Sequence, residues 1–142
     1  MVQKVFFEKF IAFSASVHRL TYELTKNCKS DEITPIQYSM LEHLAVSEPM
    51  TLSEISECHH MSLPNTSREI KKLTLKNLIR KLDDKEDRRK QYITLSEDGV
   101  LMMKETFQCA EAHLLQRIKG LSAEELKDIQ QAIDLLQKKI FY

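Results

Sequence analysis

Two long apolar seams, one near each end of the chain, constrain the fold most. In the first, apolar side chains recur at alternating steps of four and three residues, which places them along one face of an α-helix. Its members are Phe6, Phe10, Phe13, Val17, Leu20 and Leu24. The second seam consists of Leu126, Ile129, Ile133, Leu136 and Ile140. Either seam alone fits packing on the chain's own core about as well as packing on a partner chain. Two such seams together favour a dimer interface.

Composition supports a mostly helical fold. The chain has 142 residues, of which 42% are hydrophobic, a size and content that suit one domain with a real core. Only two glycines and three prolines are present, with no tryptophan, which disfavours folds built from many tight turns. We therefore expect residues 1–142 to form a single, mostly α domain.

The middle of the chain predicts three shorter helices. One begins at Pro35 and ends before Pro49, and a second, very short one follows Thr51. A break at residues 59–63 separates it from a third helix that begins near Pro64. In this third helix the spacing turns Thr66, Ile70 and Leu73 inward and Arg68, Lys71, Lys72 and Leu75 outward.

A small β-hairpin is predicted after these helices. Asn77 suits the end of the third helix, since asparagine tolerates the left-handed backbone of a helix C-cap. Residues 78–82 and 91–95 are two strand candidates around the charged run 83–90. Ser96 then caps a long helix that begins near Gly99.

Charge is distributed unevenly although the chain as a whole is neutral, with 21 basic and 21 acidic residues. Residues 62–92 contain ten basic and five acidic side chains, a net charge of +5. Residues 1–61 carry −3 and residues 93–142 carry −2. A basic centre between acidic ends is the electrostatic pattern expected of a DNA-binding lobe.

The order of elements is that of a winged helix-turn-helix, and three motifs carry a family resemblance. The runs Leu78-Ile79-Arg80, Asp87-Arg88-Arg89 and Leu95-Ser96-Glu97-Asp98-Gly99 resemble the wing of the MarR family of bacterial transcriptional regulators. Asn77 stands where the family usually has glycine and Ser96 where it usually has threonine, and both keep the local chemistry. The resemblance covers nearly the whole chain. It implies a winged helix-turn-helix lobe at 34–95 and a helical dimerisation region at 1–30 and 100–142.

The resemblance also implies which residues touch DNA. A recognition helix reads base edges in the major groove, and a basic hairpin tip reaches the minor groove. Arg89 resembles the wing arginine that enters the minor groove, and Asp87 the acid that orients it. The predicted DNA-binding residues are Asn65, Ser67, Arg68, Lys71, Lys72, Asp87, Arg88 and Arg89.

Members of the resembled family bind small aromatic or anionic effectors between the dimerisation helices and the DNA-binding lobe. By position, His18, Tyr22 and Tyr38 are candidates to line such a pocket, although an ordinary role in the core or an interface is open for each. The resemblance thus predicts a homodimeric repressor that binds pseudo-palindromic double-stranded DNA and is released by an effector. The alternative is a winged-helix protein-interaction module without specific DNA binding.

The cysteines predict no site of their own. Cys28, Cys58 and Cys109 are odd in number and lack CxxC spacing, so we expect inert thiols in a reducing compartment. Oxidant sensing, and a metal shared by Cys109 and His113, are weaker alternatives. Cys58 beside His59 has no accompanying acid or oxyanion element, and we expect no enzyme, no cofactor and no bound metal.

The sequence also predicts where the protein resides. Residues Met1–Lys9 show no signal-peptide pattern, and no apolar run approaches the roughly 20 residues needed to span a bilayer. We therefore expect a cytoplasmic protein with no membrane partner.

Overall fold

The computed structural model describes residues 1–142 and contains six helices and one small antiparallel sheet. The helices are α1 (Val2–Thr25), α2 (Pro35–Val46), α3 (Leu52–Cys58), α4 (Leu63–Leu75), α5 (Glu97–Arg117) and α6 (Ala123–Lys139). The strands are β1 (Met50–Thr51), β2 (Ile79–Asp83) and β3 (Gln91–Leu95). The predicted class, mostly α with a β-hairpin wing, is confirmed. None of the helices combines the length and apolar character needed to cross a membrane.

The chain divides into two compact units, Met1–Ala110 and Glu111–Tyr142. The first contains α1 to α4, the sheet and most of α5, and the second contains the end of α5 and all of α6. The prediction that residues 1–142 form one domain stays a prediction.

The sheet has one strand more than the sequence predicts. β3 is the central strand, with β1 on one side and β2 on the other. Met50 pairs with Ile93, and Ile79 pairs with Leu95. β1 is only two residues long, too short to show an alternating pattern, and its second residue, Thr51, also caps α3 by accepting the Glu54 N–H at 3.2 Å.

The core lies in the first unit and joins α2, α3, α4, the sheet and α5. Its buried apolar members are Tyr38, Met40, Leu41, Leu44, Met50, Ile55, Ile70, Leu73, Leu78, Ile79, Ile93, Leu95 and Met103. Thr66, Ile70 and Leu73 are all buried, which confirms the predicted inner face of α4. Because that face is fixed against the core, the polar residues on the opposite face of α4 point outward.

A hydrogen-bonded junction links the end of α4 to the start of α5. Asn77 has φ 59°, which confirms its predicted left-handed backbone. The Ser96 hydroxyl donates to the Asn77 carbonyl at 2.6 Å and accepts the Gly99 N–H at 3.0 Å. The Asn77 side-chain amide donates to Asp98 at 2.8 Å. α5 begins at Glu97, two residues earlier than expected.

Gly99 is required by close approach of two backbone segments at this junction. A Cβ at this position would collide with the Leu78 carbonyl oxygen, which accepts the Ser96 N–H at 3.0 Å. The Leu-Ser-x-x-Gly motif therefore has a physical reason. The serine caps α5, and the glycine lets that helix lie directly against the chain entering β2.

The two terminal helices leave much of their apolar seams in solvent. On α1, Phe6, Phe13 and Val17 are 56%, 44% and 46% exposed. On α6, Ile129 and Ile133 are 45% and 51% exposed, and Ser122 caps the helix by accepting the Glu125 N–H at 3.1 Å. Both helices therefore present apolar side chains to solvent.

Candidate nucleic-acid interface

The turn between α3 and α4 is fixed by local hydrogen bonds. The Met61 N–H donates to the Ser56 carbonyl at 3.0 Å, and the buried Ser56 hydroxyl donates back to the Met61 carbonyl. His60, between them, has φ 53°. Ser62 then caps α4 by accepting the Asn65 N–H at 3.2 Å. These bonds fix the orientation of α4 relative to α3, as a helix-turn-helix needs.

The outer face of α4 presents the predicted base-reading residues to solvent. Asn65, Ser67, Arg68 and Lys71 are exposed, whereas Thr66 between them is fully buried and donates to the Ser62 carbonyl at 2.8 Å. The structure therefore brings these four predicted residues together on the solvent-facing side of α4.

Lys72 differs from these residues because its ammonium has a partner. It lies 3.3 Å from the Glu69 carboxylate, although its side chain remains 59% exposed. The Gln37 amide donates to the other Glu69 oxygen at 3.0 Å, and this bond and then Lys72 lower the pKa of Glu69. An ionised Glu69 reduces the positive charge that Lys72 offers to DNA.

Gln37 contacts α4 at Glu69, in the middle of the helix, and at Lys76, just after its end, and the sequence interpretation missed it. Its side-chain oxygen accepts the Lys76 ammonium at 2.9 Å and the Thr34 N–H at 3.2 Å, while its own N–H donates to the Thr34 hydroxyl. The reciprocal Thr34–Gln37 pair is a capping box, and this spacing was the available signal. Because Lys76 is held in this network, we assign it to the contacts that hold α4 in place.

The wing tip places Asp87 and Arg89 in direct contact. One Asp87 carboxylate oxygen accepts the Arg89 backbone N–H at 3.0 Å and its Nε–H at 3.2 Å. These bonds lower the pKa of Asp87, the backbone bond most. The Arg89 side chain is 92% exposed and Arg88 beside it is exposed too. The geometry predicted for the pair is present, and its role on DNA stays a prediction.

The predicted effector residues fall into two environments. His18 and Tyr22 are exposed on α1, one helical turn apart, whereas Tyr38 is 5% exposed on α2. Lys29, which the sequence did not single out, joins the two tyrosines. Its ammonium lies 4.4 Å from the centre of the Tyr38 ring and 5.8 Å from that of Tyr22. Burial, and then Glu42, raise the pKa of Tyr38, so its hydroxyl stays neutral.

The expectation of three unpaired thiols is wrong for two of them. Cys28 and Cys109, 81 residues apart in the chain, are joined by a disulfide with a Cα–Cα distance of 5.7 Å. Cys58 is a free, exposed thiol. The neighbouring His59 has its Nδ1 3.4 Å from the Ser39 hydroxyl. Spacing alone gave no sign of the disulfide because its partners come from distant elements.

A scan against family models finds the MarR family over residues 32–90, the segment that contains α2, α3, α4, β2 and the tip of the hairpin. Among curated proteins, the HTH-type transcriptional regulator TcaR of Staphylococcus aureus is 27% identical over 138 residues. That alignment covers 95% of this chain and 89% of TcaR.

Solved structures of similar fold include two complexes of MepR from Staphylococcus aureus. MepR bound to ethidium bromide superposes with a TM-score of 0.65 at 19% identity, covering 92% of this chain and 94% of MepR. A MepR mutant bound to an oligodeoxyribonucleotide gives a TM-score of 0.61 at 19% identity, covering 93% and 97%. At this identity the likeness concerns the fold.

Proposed function

We propose that this chain, a MarR-family transcriptional regulator, binds pseudo-palindromic double-stranded DNA as a homodimer and represses transcription until a small effector releases it. The observation that carries the proposal is the exposed face of α4. Asn65, Ser67 and Arg68 stand together near the N-terminus of a helix whose other face is locked in the core. Side chains so placed reach base edges when such a helix enters the major groove.

The wing and the known complex support the same mode of binding. Arg89 projects from the hairpin tip and has its guanidinium held on one side by Asp87, an arrangement suited to a narrow minor groove. A MepR mutant of the same fold is bound to an oligodeoxyribonucleotide. We propose that this chain binds DNA through α4 and the wing, and that it does so in the cytoplasm, where bacterial DNA lies.

Arg68 and Lys71 are expected to make different contributions to DNA binding. Arg68→Ala should lower affinity for the preferred duplex by about 1–3 kcal/mol and relax the preference at one base pair per half-site. Lys71→Ala should weaken all duplexes alike, since a phosphate contact carries no sequence information. Binding curves on a series of single-mismatch duplexes, at fixed salt, measure both effects.

Lys72→Ala is the matched comparison, because its ammonium is already paired with Glu69. Its loss should be smaller than that of Lys71→Ala. Equal losses on every duplex for Arg68→Ala and Lys71→Ala would remove Arg68 from base readout. Failure of the unmodified protein to retain any duplex would favour the alternative, a protein-interaction module.

Arg89→Ala is expected to reduce the salt dependence of DNA binding by roughly one charge per subunit, since one cation leaves the interface. Asp87→Ala removes a negative charge near the phosphates yet frees the Arg89 guanidinium. Exposed ion pairs are usually worth about 0–1 kcal/mol, so we expect a small net loss of affinity. A double-mutant cycle on binding free energies should show that the two substitutions are non-additive.

Arg88 provides the control for this cycle. It is exposed next to Arg89, whereas the Asp87 carboxylate bonds to Arg89. Asp87→Ala and Arg88→Ala should therefore be additive. Tighter binding by Asp87→Ala, together with additivity toward Arg89→Ala, would make Asp87 a passive surface charge.

The effector is proposed to be a small aromatic anion held near Tyr22, Tyr38 and Lys29. Tyr22 is 60% exposed and offers a ring for stacking, and the Lys29 ammonium offers a positive charge beside it. His18 lies one turn away on the same side of α1. MepR bound to ethidium supports the idea that this fold accepts planar aromatic molecules. An effector that binds the DNA-free geometry more tightly shifts the population away from DNA.

Benzoate is a simple probe of this effector site. Lys29→Gln should raise the benzoate concentration needed to release DNA by about fivefold or more, a cost of roughly 1 kcal/mol that is typical of one charge-assisted contact. Lys26→Gln, which changes an exposed lysine three residues earlier, should leave the release curve unchanged. Identical curves of DNA release against benzoate concentration for the two lysine variants would place the effector elsewhere. Release of DNA that does not depend on Tyr22 would lead to the same conclusion.

A further inference from the structure

Cys28 and Cys109 form a pair whose placement suggests more than a structural link. Cys28 lies three residues after the end of α1, and Cys109 lies on α5. Their Cα atoms are 5.7 Å apart, in the usual range for a disulfide that needs no backbone movement. Both residues are half-buried. The folded chain therefore holds the two sulfur atoms ready to bond.

A small oxidant can reach this pair from solvent. Cys28 lines a surface groove of about 450 Å³, together with Ser30, Lys76, Asp98 and Glu105. A groove of this volume admits a molecule of the size of hydrogen peroxide. Cys28 is thus placed where an entering peroxide can meet its sulfur.

Both ends of the disulfide lead to the C-terminal end of α4. On one side, the segment that contains Cys28 also contains Glu32, whose backbone carbonyl accepts the Lys76 ammonium at 2.5 Å. On the other side, the second residue of α5 is Asp98, which accepts the Asn77 side-chain amide at 2.8 Å. Lys76 and Asn77 are the first two residues after α4. The disulfide thus closes a ring of contacts around the end of the proposed recognition helix.

We propose that Cys28 and Cys109 are a reversible, peroxide-oxidised thiol pair that controls the affinity of the helix-turn-helix for DNA. The regulatory half of this proposal rests on the proposed function. In the reduced protein the connection between α1 and α2 moves independently of α5. In the oxidised protein the bond ties them together, which restricts the adjustment of α4 to its half-site and lowers affinity.

The chemistry balances with a peroxide as oxidant. The Cys28 thiolate attacks one peroxide oxygen, the O–O bond breaks, and the leaving hydroxide takes a proton to become water, which leaves a sulfenic acid on Cys28. The Cys109 sulfur then attacks the Cys28 sulfur, the S–O bond breaks, and the hydroxide that leaves takes the Cys109 proton as a second water. Two thiols lose two electrons and one peroxide gains them. A dithiol reductant reverses the step by thiol–disulfide exchange.

The first readout counts thiols and does not involve DNA. The full chain, reduced with dithiothreitol and freed of reductant, should contain three reactive thiols, and one after stoichiometric hydrogen peroxide. Peptide mapping without reduction should join the Cys28 and Cys109 peptides. Cys58→Ser should still lose two thiols, whereas Cys28→Ser and Cys109→Ser should form no internal disulfide. Crosslinks through Cys58, or three thiols that survive peroxide, would overturn the proposal.

The second readout is affinity for a duplex that the reduced protein binds. Oxidation should weaken binding at least fivefold in the unmodified chain and in Cys58→Ser, and dithiothreitol should restore it. Cys28→Ser and Cys109→Ser should bind equally in both conditions. An internal disulfide without a change in affinity would overturn the regulatory half. Absence of DNA binding in every state would overturn the proposed function, while the thiol count would still support the oxidation site.

Zinc binding is the alternative role for two adjacent thiols. The zinc content and thiol reactivity of the reduced protein distinguish it from disulfide formation. The reduced protein should contain no stoichiometric zinc after growth and purification without chelator, and its thiols should react at once. One zinc per chain, with two thiols that react only after a chelator is added, would overturn the redox proposal.

Discussion

Gly99→Ala is expected to lower the free energy of unfolding by about 3 kcal/mol or more, and the midpoint of thermal unfolding by roughly 10 °C. The new Cβ would collide with the Leu78 carbonyl oxygen, a backbone atom that cannot rotate away. Relief requires that α5 move off the chain entering β2, which would break the Ser96 bonds to Asn77 and Gly99. Circular dichroism during thermal and urea unfolding measures the loss.

Gly120→Ala is the control, and it uses the chain's only other glycine. A Cβ at Gly120 meets no atom within 4 Å, and its φ is not positive. Its effect should therefore stay within about 0.5 kcal/mol, as for most exposed substitutions. Similar stabilities for the two variants would show that the α5 junction tolerates displacement, and the physical explanation of the Leu-Ser-x-x-Gly motif would then fail.

Features fixed by neighbouring residues were predictable from the sequence. The inner face of α4 followed from the spacing of Thr66, Ile70 and Leu73, and the left-handed Asn77 followed from its place after a helix. The contact between Asp87 and Arg89 also depends on residues only two apart. Each of these features depends on residues that are close together in the chain. It can therefore be predicted without knowledge of the rest of the fold.

Contacts between distant segments were not predictable in the same way. Gln37 and Glu69 are 32 residues apart, and Cys28 and Cys109 are 81 apart. No local preference encodes such pairs, because they exist only after the core has placed α2 against α4 and the end of α1 near α5. Lys29 beside Tyr38 is of the same kind. The contacts that hold the candidate site in place were therefore not predictable from the sequence, although the exposed residues of the site were.

The exposed apolar seam of α6 leads to the second large expected effect. Ile133 is 51% exposed in the chain by itself, and Ile129 one turn before it is 45% exposed. A seam of this kind on a helix is covered by a partner helix in a stable assembly. In the proposed homodimer a two-fold axis brings each seam against the partner subunit, so that one substitution acts twice.

Ile133→Asp is expected to dissociate the homodimer, raising its dissociation constant at least about a hundredfold, or roughly 2.7 kcal/mol. A carboxylate buried without a partner costs several kcal/mol, and the two-fold axis doubles the cost. Sedimentation velocity across a concentration series should show monomers with unchanged helix content, since Ile133 is half exposed in the isolated chain. Gln131→Asp is the control, because it adds the same charge at an exposed position on the opposite face of α6. A tight dimer in the Ile133 variant, or monomers in both variants, would show that dimerisation does not depend on this seam.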